Sequence, residues 1–327
     1  MKSTLTTFLL AVVLVHPCHA QSTNLAGKPI VMLINDGWGG GYGTHGIVYD
    51  FVTQDSVTVI GNFGIPKSVV AAACVCAEYP SRAYVSGGMR GQDWHSTTAE
   101  IIEYDRKTQL IRLSATMNVA RGQGGHAMTC FQQQLYICGG RDEKNNFLFS
   151  CEVCRVTEGL CWFTAPLPLA RGSKAWSPFM VALDGVVYVG AANEWPQSMY
   201  AYDIEANRWS LKADMTHGHG YGAAVAVDGL VLVCGGGDPV SAICETYNPR
   251  LDAWRKNDRS MMTARAWHSM VVHEDQVVVF GGTNDSSSDG RYNMQNLVEK
   301  YRPNGEQWPS MVETYDRRLA VIVETEF

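Results

Sequence analysis

Short apolar runs rich in Val, Ile and Tyr alternate with polar, glycine-containing turns along most of the chain. The clearest unit starts with LVLVCGG (230–236), continues with ICETYN (243–248) and reaches Trp254 seven residues after Tyr247. β-Branched and aromatic residues suit a pleated, half-buried surface, and a glycine pair lets the backbone turn where a side chain would clash. Asp-Gly at 184–185 and 228–229 separates two such runs, which is a hairpin signal. The pattern predicts antiparallel strands joined by tight turns.

This unit recurs six times, and we number the units 1 to 6 in chain order. The second position of the glycine pair falls at residues 36, 88, 140, 192, 236 and 282, in steps of 52, 52, 52, 44 and 46 residues. The pair is Asn35-Asp36 in unit 1 and Ala191-Ala192 in unit 4. Periods of about 20–50 residues are typical of repeat folds, so the chain is predicted to have one repeat architecture.

The tyrosine of ICETYN has an equivalent in every other unit: Tyr49, Tyr104, Tyr202 and Tyr301, with Cys154 in unit 3. The position that Trp254 occupies in unit 5 holds Ser56, Ile111, Trp209 and Trp308 in four units, while Trp162 follows Cys154 by eight residues. Together with the glycine pairs, this pattern resembles the kelch repeat, which is about 50 residues long. The resemblance implies an all-β, six-bladed β-propeller with one four-stranded blade per unit. We interpret the tyrosines and tryptophans as packing between neighbouring blades.

The two ends of the chain are predicted to share one blade. PIVMLIN (29–35) has the pattern of a second strand, whereas RLAVIVETEF (318–327) has that of a first strand, as in ARAWHSMVV (264–272). We therefore expect the C-terminal strand to complete blade 1, which leaves no exposed blade edge for another chain to pair with. Residues 21–327 are predicted to form this single domain.

Residues 1–20 have the pattern of a secretory signal peptide. Lys2 is basic, residues 8–15 are apolar, and Cys18 and Ala20 are small residues at the spacing of a cleavage site. The apolar run is shorter than the about 20 residues that cross a membrane as a helix. We expect a secreted, extracellular protein without a membrane span.

The charge balance is mildly acidic, with 32 acidic and 26 basic residues and a formal net charge of −6 at pH 7. No basic stripe is visible along the sequence. Nucleic acid is therefore not expected as a partner, because its phosphates require such a stripe.

Nine of the ten cysteines follow the predicted cleavage site, and cysteines of secreted proteins favour disulfides. Cys138 and Cys151 of unit 3 occupy the same places as Cys234 and Cys244 of unit 5. This repetition predicts the disulfides Cys138–Cys151 and Cys234–Cys244.

The remaining cysteines concentrate in units 2 and 3. Cys154 and Cys161 flank a predicted turn, and we expect them to form a third disulfide. The other three, which lie on predicted first strands of neighbouring units, are Cys74, Cys76 and Cys130. Two of these three can pair, and their spacing leaves the choice open.

Long, chemically varied loops follow the predicted second strands, and in a propeller they share one face with the loops that enter the first strands. This face gathers Trp, Tyr and Arg, which are enriched at binding hot spots, together with His. The candidate ligand-binding residues are Trp38, Tyr42, His45, Arg90, Trp94, His95, Arg141, Trp176, Trp195, His217, His219, Tyr221 and Trp267. Because loops on a rigid scaffold commonly carry function, we expect this face to bind an extracellular protein or a carbohydrate.

Not every side chain at this face needs a ligand. Several of them can simply pack against or cap their own loops. Arg265 and His268 resemble the Arg-x-x-His that kelch repeats carry at the strand entry, which the resemblance assigns a structural role. A purely structural extracellular role for the whole chain is a further interpretation.

His217 and His219 are the candidates for a metal site. An i, i+2 pair in an extended segment directs both rings to one side, and imidazoles bind zinc or copper. The alternative function is therefore a small secreted metal-dependent enzyme similar to the copper-radical oxidases, which also resemble kelch propellers. Those enzymes need a Tyr-His pair, and the chain has no such dipeptide. We recognise no phosphate loop or Ser-His-Asp arrangement, so no catalytic residue and no cofactor is predicted.

Asn284-Asp285-Ser286 is the one N-glycosylation sequon after the predicted cleavage site. It lies in the long loop of unit 6. A glycan on Asn284 is expected to be exposed and to cover part of the binding face.

Overall fold

The structure is a computed structural model that describes residues 30–34, 45–50, 55–60, 68–69 and, with gaps, 72–301. The larger gaps in the last range are 91–96, 170–176, 191–196 and 285–298. All regular elements of the described residues are β-strands, arranged in seven antiparallel sheets. No helix that could cross a membrane occurs in this part of the chain.

Six of the sheets correspond to the six repeat units, and we call them sheets 1 to 6. Sheet 1 comprises β1 (Ile30–Ile34), β2 (His45–Asp50) and β3 (Asp55–Ile60). The seventh sheet pairs β4 (Ser68–Val69) with β7 (Met89–Arg90). Sheet 2 comprises β5 (Ala72–Val75), β6 (Arg82–Ser86), β8 (Glu100–Asp105) and β9 (Leu110–Thr116). Sheet 3 comprises β10 (His126–Phe131), β11 (Gln134–Gly139), β12 (Cys151–Arg155) and β13 (Leu160–Phe163).

The remaining sheets repeat this order. Sheet 4 comprises β14 (Phe179–Leu183), β15 (Val186–Gly190), β16 (Met199–Asp203) and β17 (Arg208–Leu211). Sheet 5 comprises β18 (Ala223–Val227), β19 (Leu230–Cys234), β20 (Cys244–Asn248) and β21 (Ala253–Lys256). Sheet 6 comprises β22 (Ser269–His273), β23 (Gln276–Phe280) and β24 (Glu299–Tyr301). Both Asp-Gly turns have positive φ at their two central residues, as a type I′ hairpin requires.

The first strands of sheets 2 to 6 lie next to one another in chain order. β5 contacts β10, β10 contacts β14, β14 contacts β18, and β18 contacts β22. These strands line a cavity of about 220 Å³, and many of the lining side chains are small, such as Ala127, Ala182 and Ala226. Sheets placed side by side around their first strands are typical of a β-propeller. The prediction of an all-β chain of repeated antiparallel sheets is confirmed.

The apolar core lies between adjacent sheets. Ile101 of sheet 2 and Leu135 of sheet 3 belong to one buried cluster, and Val231 of sheet 5 joins Tyr188 of sheet 4 in another. Inner strands therefore bury both faces. This explains why runs such as LVLVC are continuously apolar rather than alternating.

In sheets 4 and 5, a Tyr–Trp pair packs against the chain segment that precedes the sheet. Tyr202 lies opposite Trp209 with ring centroids 4.8 Å apart, and Tyr247 lies opposite Trp254 at 5.2 Å. The indole N–H of Trp254 donates to the carbonyl oxygen of Ala213, 2.9 Å away, in the connection from sheet 4. The interpretation that these residues pack between neighbouring units is confirmed here.

In sheet 3 a disulfide takes the place of the aromatic pair. Cys154 lies opposite Cys161 at this register position, and the two are bonded. Trp162 falls one position further on, and a shift of one residue turns a strand side chain to the other face. Trp162 is consequently 39% exposed, with the guanidinium of Arg155 over its ring.

The described residues contain four disulfides: Cys76–Cys130, Cys138–Cys151, Cys154–Cys161 and Cys234–Cys244. The last three are the pairs that the sequence predicted. Cys76–Cys130 links sheets 2 and 3, so the two cysteines that pair among Cys74, Cys76 and Cys130 are Cys76 and Cys130. Cys74 is buried and forms none of the four disulfides. The predicted signal peptide (1–20) and the predicted closing strand (318–327) lie outside the described residues.

Replacing Trp254 by Phe keeps an aromatic ring but removes the N–H that Ala213 accepts. We expect Trp254→Phe to lower the free energy of unfolding by about 1 kcal/mol. Trp162→Phe is the matched control, and its expected effect is within about 0.5 kcal/mol because this indole is exposed. Urea unfolding of the three proteins measures both values. If both variants lowered the free energy of unfolding equally, the hydrogen bond from Trp254 would not stabilise the contact between sheets.

Candidate functional site

Three of the loops that enter first strands are each held by a buried glutamate. Glu152 of β12, Glu245 of β20 and Glu299 of β24 are all buried. Each carboxylate accepts hydrogen bonds from two consecutive backbone N–H groups of the loop. The N···O distances are 2.6 and 3.2 Å for Glu152, 3.0 and 3.3 Å for Glu245, and 2.6 and 3.2 Å for Glu299. We call this arrangement the carboxylate anchor.

In sheets 3 and 6 a buried arginine completes the anchor. Arg121 Nη2 lies 2.9 Å from Glu152 Oε1, and Arg121 Nη1 donates to the carbonyl oxygens of Gly139 and Ser150, each at 2.9 Å. Arg265 Nη2 lies 2.8 Å from Glu299 Oε1. Burial lowers the pKa of both guanidinium groups and the glutamates oppose this effect. A buried ion pair of this kind resists change, because removing one partner leaves the other charge uncompensated.

In sheet 5 a histidine occupies the place of the arginine. His219 is fully buried, its Nδ1 lies 2.6 Å from the carbonyl oxygen of Gly235, and its Nε2 lies 3.5 Å from Glu245 Oε2. His217 Nδ1 lies 3.1 Å from the other oxygen of the same carboxylate, which also accepts from the Thr216 hydroxyl. Burial alone would raise the pKa of Glu245, but hydrogen bonds from His219, Thr216 and His217 lower it to about 2.

The anchored loops of sheets 5 and 6 end in two stacked aromatic residues. The rings of Tyr221 and Trp267 are 4.8 Å apart and inclined by 3°. Both residues have left-handed backbone, with φ of 65° and 61°, and the N–H of Trp267 donates to the carbonyl oxygen of Tyr221 at 2.7 Å. Gly125 holds the equivalent position in sheet 3 with φ of 72°. Left-handed backbone in a bulky residue costs about 1–3 kcal/mol, so the surrounding anchors must hold it.

Arg141 brings a positive charge to the same face. Its guanidinium lies over the ring of Phe147, 4.1 Å from the centroid, and donates to Asn145 Oδ1 at 2.5 Å. Burial lowers the pKa of Arg141, and nearby Tyr221 opposes this effect. The described part of the face therefore presents a stacked aromatic pair, with Arg141 held nearby against Phe147 and Asn145.

The structure thus stacks two of the predicted binding residues, Tyr221 and Trp267, with Arg141 nearby and His217 in the same loop as Tyr221. His219 belongs to the same loop but is buried, so it holds the loop from inside. The backbones of His45 and Arg90 lie in β2 and β7, and Asn284 is exposed. The predicted residues that lie outside the described part of the chain are Trp38, Tyr42, Trp94, His95, Trp176 and Trp195.

The two candidate metal ligands, His217 and His219, both turn towards Glu245. Among the described residues, one group of His, Cys, Asp and Glu has ligand atoms close enough together to hold a metal ion: Cys76, Glu78 and Cys130. Two members of that group form a disulfide.

The sequence reasoning missed the glutamates of the anchors. A signal was present, because CEVC, CETY and VEKY each carry a glutamate two residues before the repeat tyrosine or its cysteine substitute. A charged residue recurring inside an otherwise apolar strand is rarely buried without a partner. Its recurrence in three units therefore pointed to a shared buried contact.

A family model described as the KLHDC2/KLHL20/DRC7 Kelch-repeats domain matches residues 72–282. Kelch-like protein 36 of Bos taurus is 34% identical over 135 residues, which cover 38% of this chain and 21% of that protein. Kelch-like protein 34 of Homo sapiens is 32% identical over 149 residues, covering 42% and 22%. Beta-scruin of Limulus polyphemus is 31% identical over 123 residues, covering 35% and 13%. The chain spans about a fifth or less of the length of these curated relatives.

Glu152→Gln tests the carboxylate anchor, since it removes the charge that Arg121 faces and changes little else in shape. We expect the free energy of unfolding to fall by about 3 kcal/mol, because a buried guanidinium is left uncompensated. The control, Glu158→Gln, removes the carboxylate that pairs with Arg155 at the surface. It is expected to lower the free energy of unfolding by at most about 0.5 kcal/mol. Chemical unfolding compares the two variants. Similar small losses in both would show that the anchor does not hold the loop.

Proposed function

This chain belongs to the kelch-repeat family, and we propose that it is a secreted, six-bladed propeller that binds an extracellular protein through the loop face around Tyr221 and Trp267. Kelch repeats generally mediate protein binding. The observation that carries the proposal is the stacked aromatic pair, held in left-handed backbone conformations by two carboxylate anchors. Rigid aromatic side chains beside an arginine are the residues in which binding energy concentrates.

The register of sheet 1 supports the closed six-bladed ring. Val31 of β1 lies opposite Tyr49, as Val231 of β19 lies opposite Tyr247. β1, β2 and β3 therefore match the second, third and fourth strands of sheet 5. Among the described residues sheet 1 has only these three strands, and we propose that residues 318–327, which have the sequence pattern of a first strand, supply the fourth.

Secretion is supported by the disulfides and by the N-terminal pattern. Four disulfides within the described residues favour an oxidising compartment, since such bonds are rare where glutathione keeps thiols reduced. The signal-like segment 1–20 precedes all of them. These two features are independent, because one concerns pairing inside the fold and the other concerns targeting.

Glycine substitutions test the binding face without adding backbone strain. Trp267→Gly and Tyr221→Gly copy Gly125, which holds the equivalent position with positive φ. The mature protein is screened against a panel of extracellular ectodomains, and the affinity of each hit is measured by surface plasmon resonance. We expect each glycine variant to weaken binding about tenfold or more.

Trp162→Ala is the control for this experiment, because it removes an equally large ring from the exposed outer strand β13. Its affinity is expected to equal that of the unmodified protein. Loss of binding in Trp162→Ala with none in the glycine variants would overturn the proposed face. Hits restricted to a glycan array would overturn the protein partner.

Removal of residues 318–327 tests ring closure. If this segment supplies the first strand of sheet 1, its removal exposes two sheet edges and uncovers apolar core. We expect the free energy of unfolding to fall by more than about 3 kcal/mol, the cost of one large core truncation. Removal of residues 21–26, which precede the first repeat unit, is the control and is expected to be neutral. Unchanged stability after the C-terminal removal would contradict closure.

A further inference from the structure

The first strands of sheets 3 to 6 are each preceded by one residue with left-handed backbone. These four residues are Gly125, Ser177, Tyr221 and Trp267, with φ of 72°, 32°, 65° and 61°. An added Cβ on Gly125 would clash with the side chain of Ser177. The N–H of Tyr221 donates to the carbonyl oxygen of Ser177 at 3.4 Å, and that of Trp267 donates to Tyr221 at 2.7 Å. The four residues therefore form a continuous arc, which we call the collar.

The cavity between the first strands begins one residue beyond the collar, and we call it the channel. The residue that follows each member of the collar lines the channel: His126, Pro178, Gly222 and His268. The volume of the channel is about 220 Å³. A cavity of about 150 Å³ is enough to bind benzene, so the channel has room for a substituted ring or a branched aliphatic group.

The collar is bulky on one side and small on the other. Tyr221 and Trp267 place stacked rings at sheets 5 and 6, whereas Gly125 and Ser177 carry no large side chain at sheets 3 and 4. The first two residues of β18, Ala223–Ala224, line the channel and are partly exposed. A group that contacts the aromatic pair can therefore reach the channel past the small members of the collar.

The described wall of the channel contains no Asp, Glu, Lys or Arg. Burial, then Arg121, lower the pKa of His126 to about 3. Burial, then Arg265 and His219, lower the pKa of His268 to about 3 as well, so both imidazoles in the wall are neutral near pH 7. Each of the two arginines is paired with a buried glutamate. A charged group that entered the channel would lose its water without gaining a counter-charge, which is costly.

The side chains of the wall suit a compact occupant without prescribing one shape. Met128, Met180 and Met270 line the channel beside small residues such as Ala127 and Ala182. Methionine has three rotatable bonds and a polarisable sulfur, so it adapts to the surface of whatever it contacts. The alanines leave the volume that such an occupant would fill.

We propose that the channel receives one uncharged side chain of the bound protein, which passes the collar beside Tyr221 and Trp267. The identity of the occupant as part of a protein rests on the proposed function. The preference of the channel for uncharged groups is a property of this chain alone and can be measured without a partner.

Two small probes test this preference at pH 7. The first, p-cresol, is the side chain of tyrosine, and the second, 4-methylbenzoate, has the same ring with a carboxylate. Each is titrated into the mature protein labelled with ¹³C at the methionine methyl groups. We expect p-cresol to shift the NMR signals of Met128, Met180 and Met270, and to bind at least about tenfold more tightly than 4-methylbenzoate.

Met262 is the internal control for this titration, because its side chain is 62% exposed at the surface and does not line the channel. Its signal is expected to stay unchanged. If p-cresol left the three lining methionines unshifted, or if both probes bound equally well, the proposal would be wrong.

Ala224→Leu fills the channel, and Ala253→Leu makes the same change on the exposed outer strand β21 of the same sheet. We expect the affinity for p-cresol to fall about tenfold in Ala224→Leu, since a branched side chain takes up part of the volume, and to stay unchanged in Ala253→Leu. Ala223→Val replaces Ala224→Leu if that variant does not fold. The comparison of the two probes in the unmodified protein decides even without either variant. Equal losses in Ala224→Leu and Ala253→Leu would contradict binding in the channel.

Affinity for a captured ectodomain separates this inference from the proposed function. A loss of about tenfold in both Trp267→Gly and Ala224→Leu supports both. A loss in Trp267→Gly with unchanged binding in Ala224→Leu would retain the binding face and reject insertion into the channel. A loss in Ala224→Leu with unchanged binding in Trp267→Gly would retain insertion and reject the binding face.

Discussion

A buried carboxylate that accepts two successive backbone N–H groups is the contact on which the described loop face depends. A loop entering a first strand carries backbone donors that water cannot satisfy once the strands close around it, and Glu152, Glu245 and Glu299 satisfy them from the third strand of the same sheet. Glu152 and Glu299 are also paired with a buried arginine, and a lone buried charge is far more costly than a paired one.

This contact also ties neighbouring sheets to one another. The anchored loop is the connection from the preceding sheet, so each anchor fastens that connection to the sheet it enters. The indole N–H of Trp254 also stabilises this connection in sheet 5, where it donates to the carbonyl oxygen of Ala213. Sheet 3 uses the Cys154–Cys161 disulfide at the position of the aromatic pair. A disulfide in sheet 3 and an aromatic pair in sheets 4 and 5 thus occupy the same register position. Because the disulfide takes this position, Trp162 lies at the surface.

The anchors are also what permits two bulky residues to keep left-handed backbone. Left-handed backbone is strained in Tyr221 and Trp267, so we expect both residues to return to negative φ values if their loops were not held. Their stacked rings would then separate. Strained residues of this kind are typical of recognition surfaces, where a fixed arrangement reduces the entropy lost on binding. In sheet 5 His219 occupies the place that arginine holds in the anchors of sheets 3 and 6.

The sequence by itself determined the strands, their order and three of the disulfides. These follow from local properties: alternation and apolar runs, glycine pairs, Asp-Gly turns, and cysteines such as Cys234 and Cys244 at matched places in the repeat. Only the tertiary structure decided which two of Cys74, Cys76 and Cys130 pair, that His219 lies inside while His217 reaches the surface, and that Tyr221 stacks on Trp267. Each of these contacts joins residues from different strands or sheets, such as His217 and Glu245, 28 positions apart. Side-chain direction and distance across such a separation arise from the packing of whole sheets, which no local pattern contains.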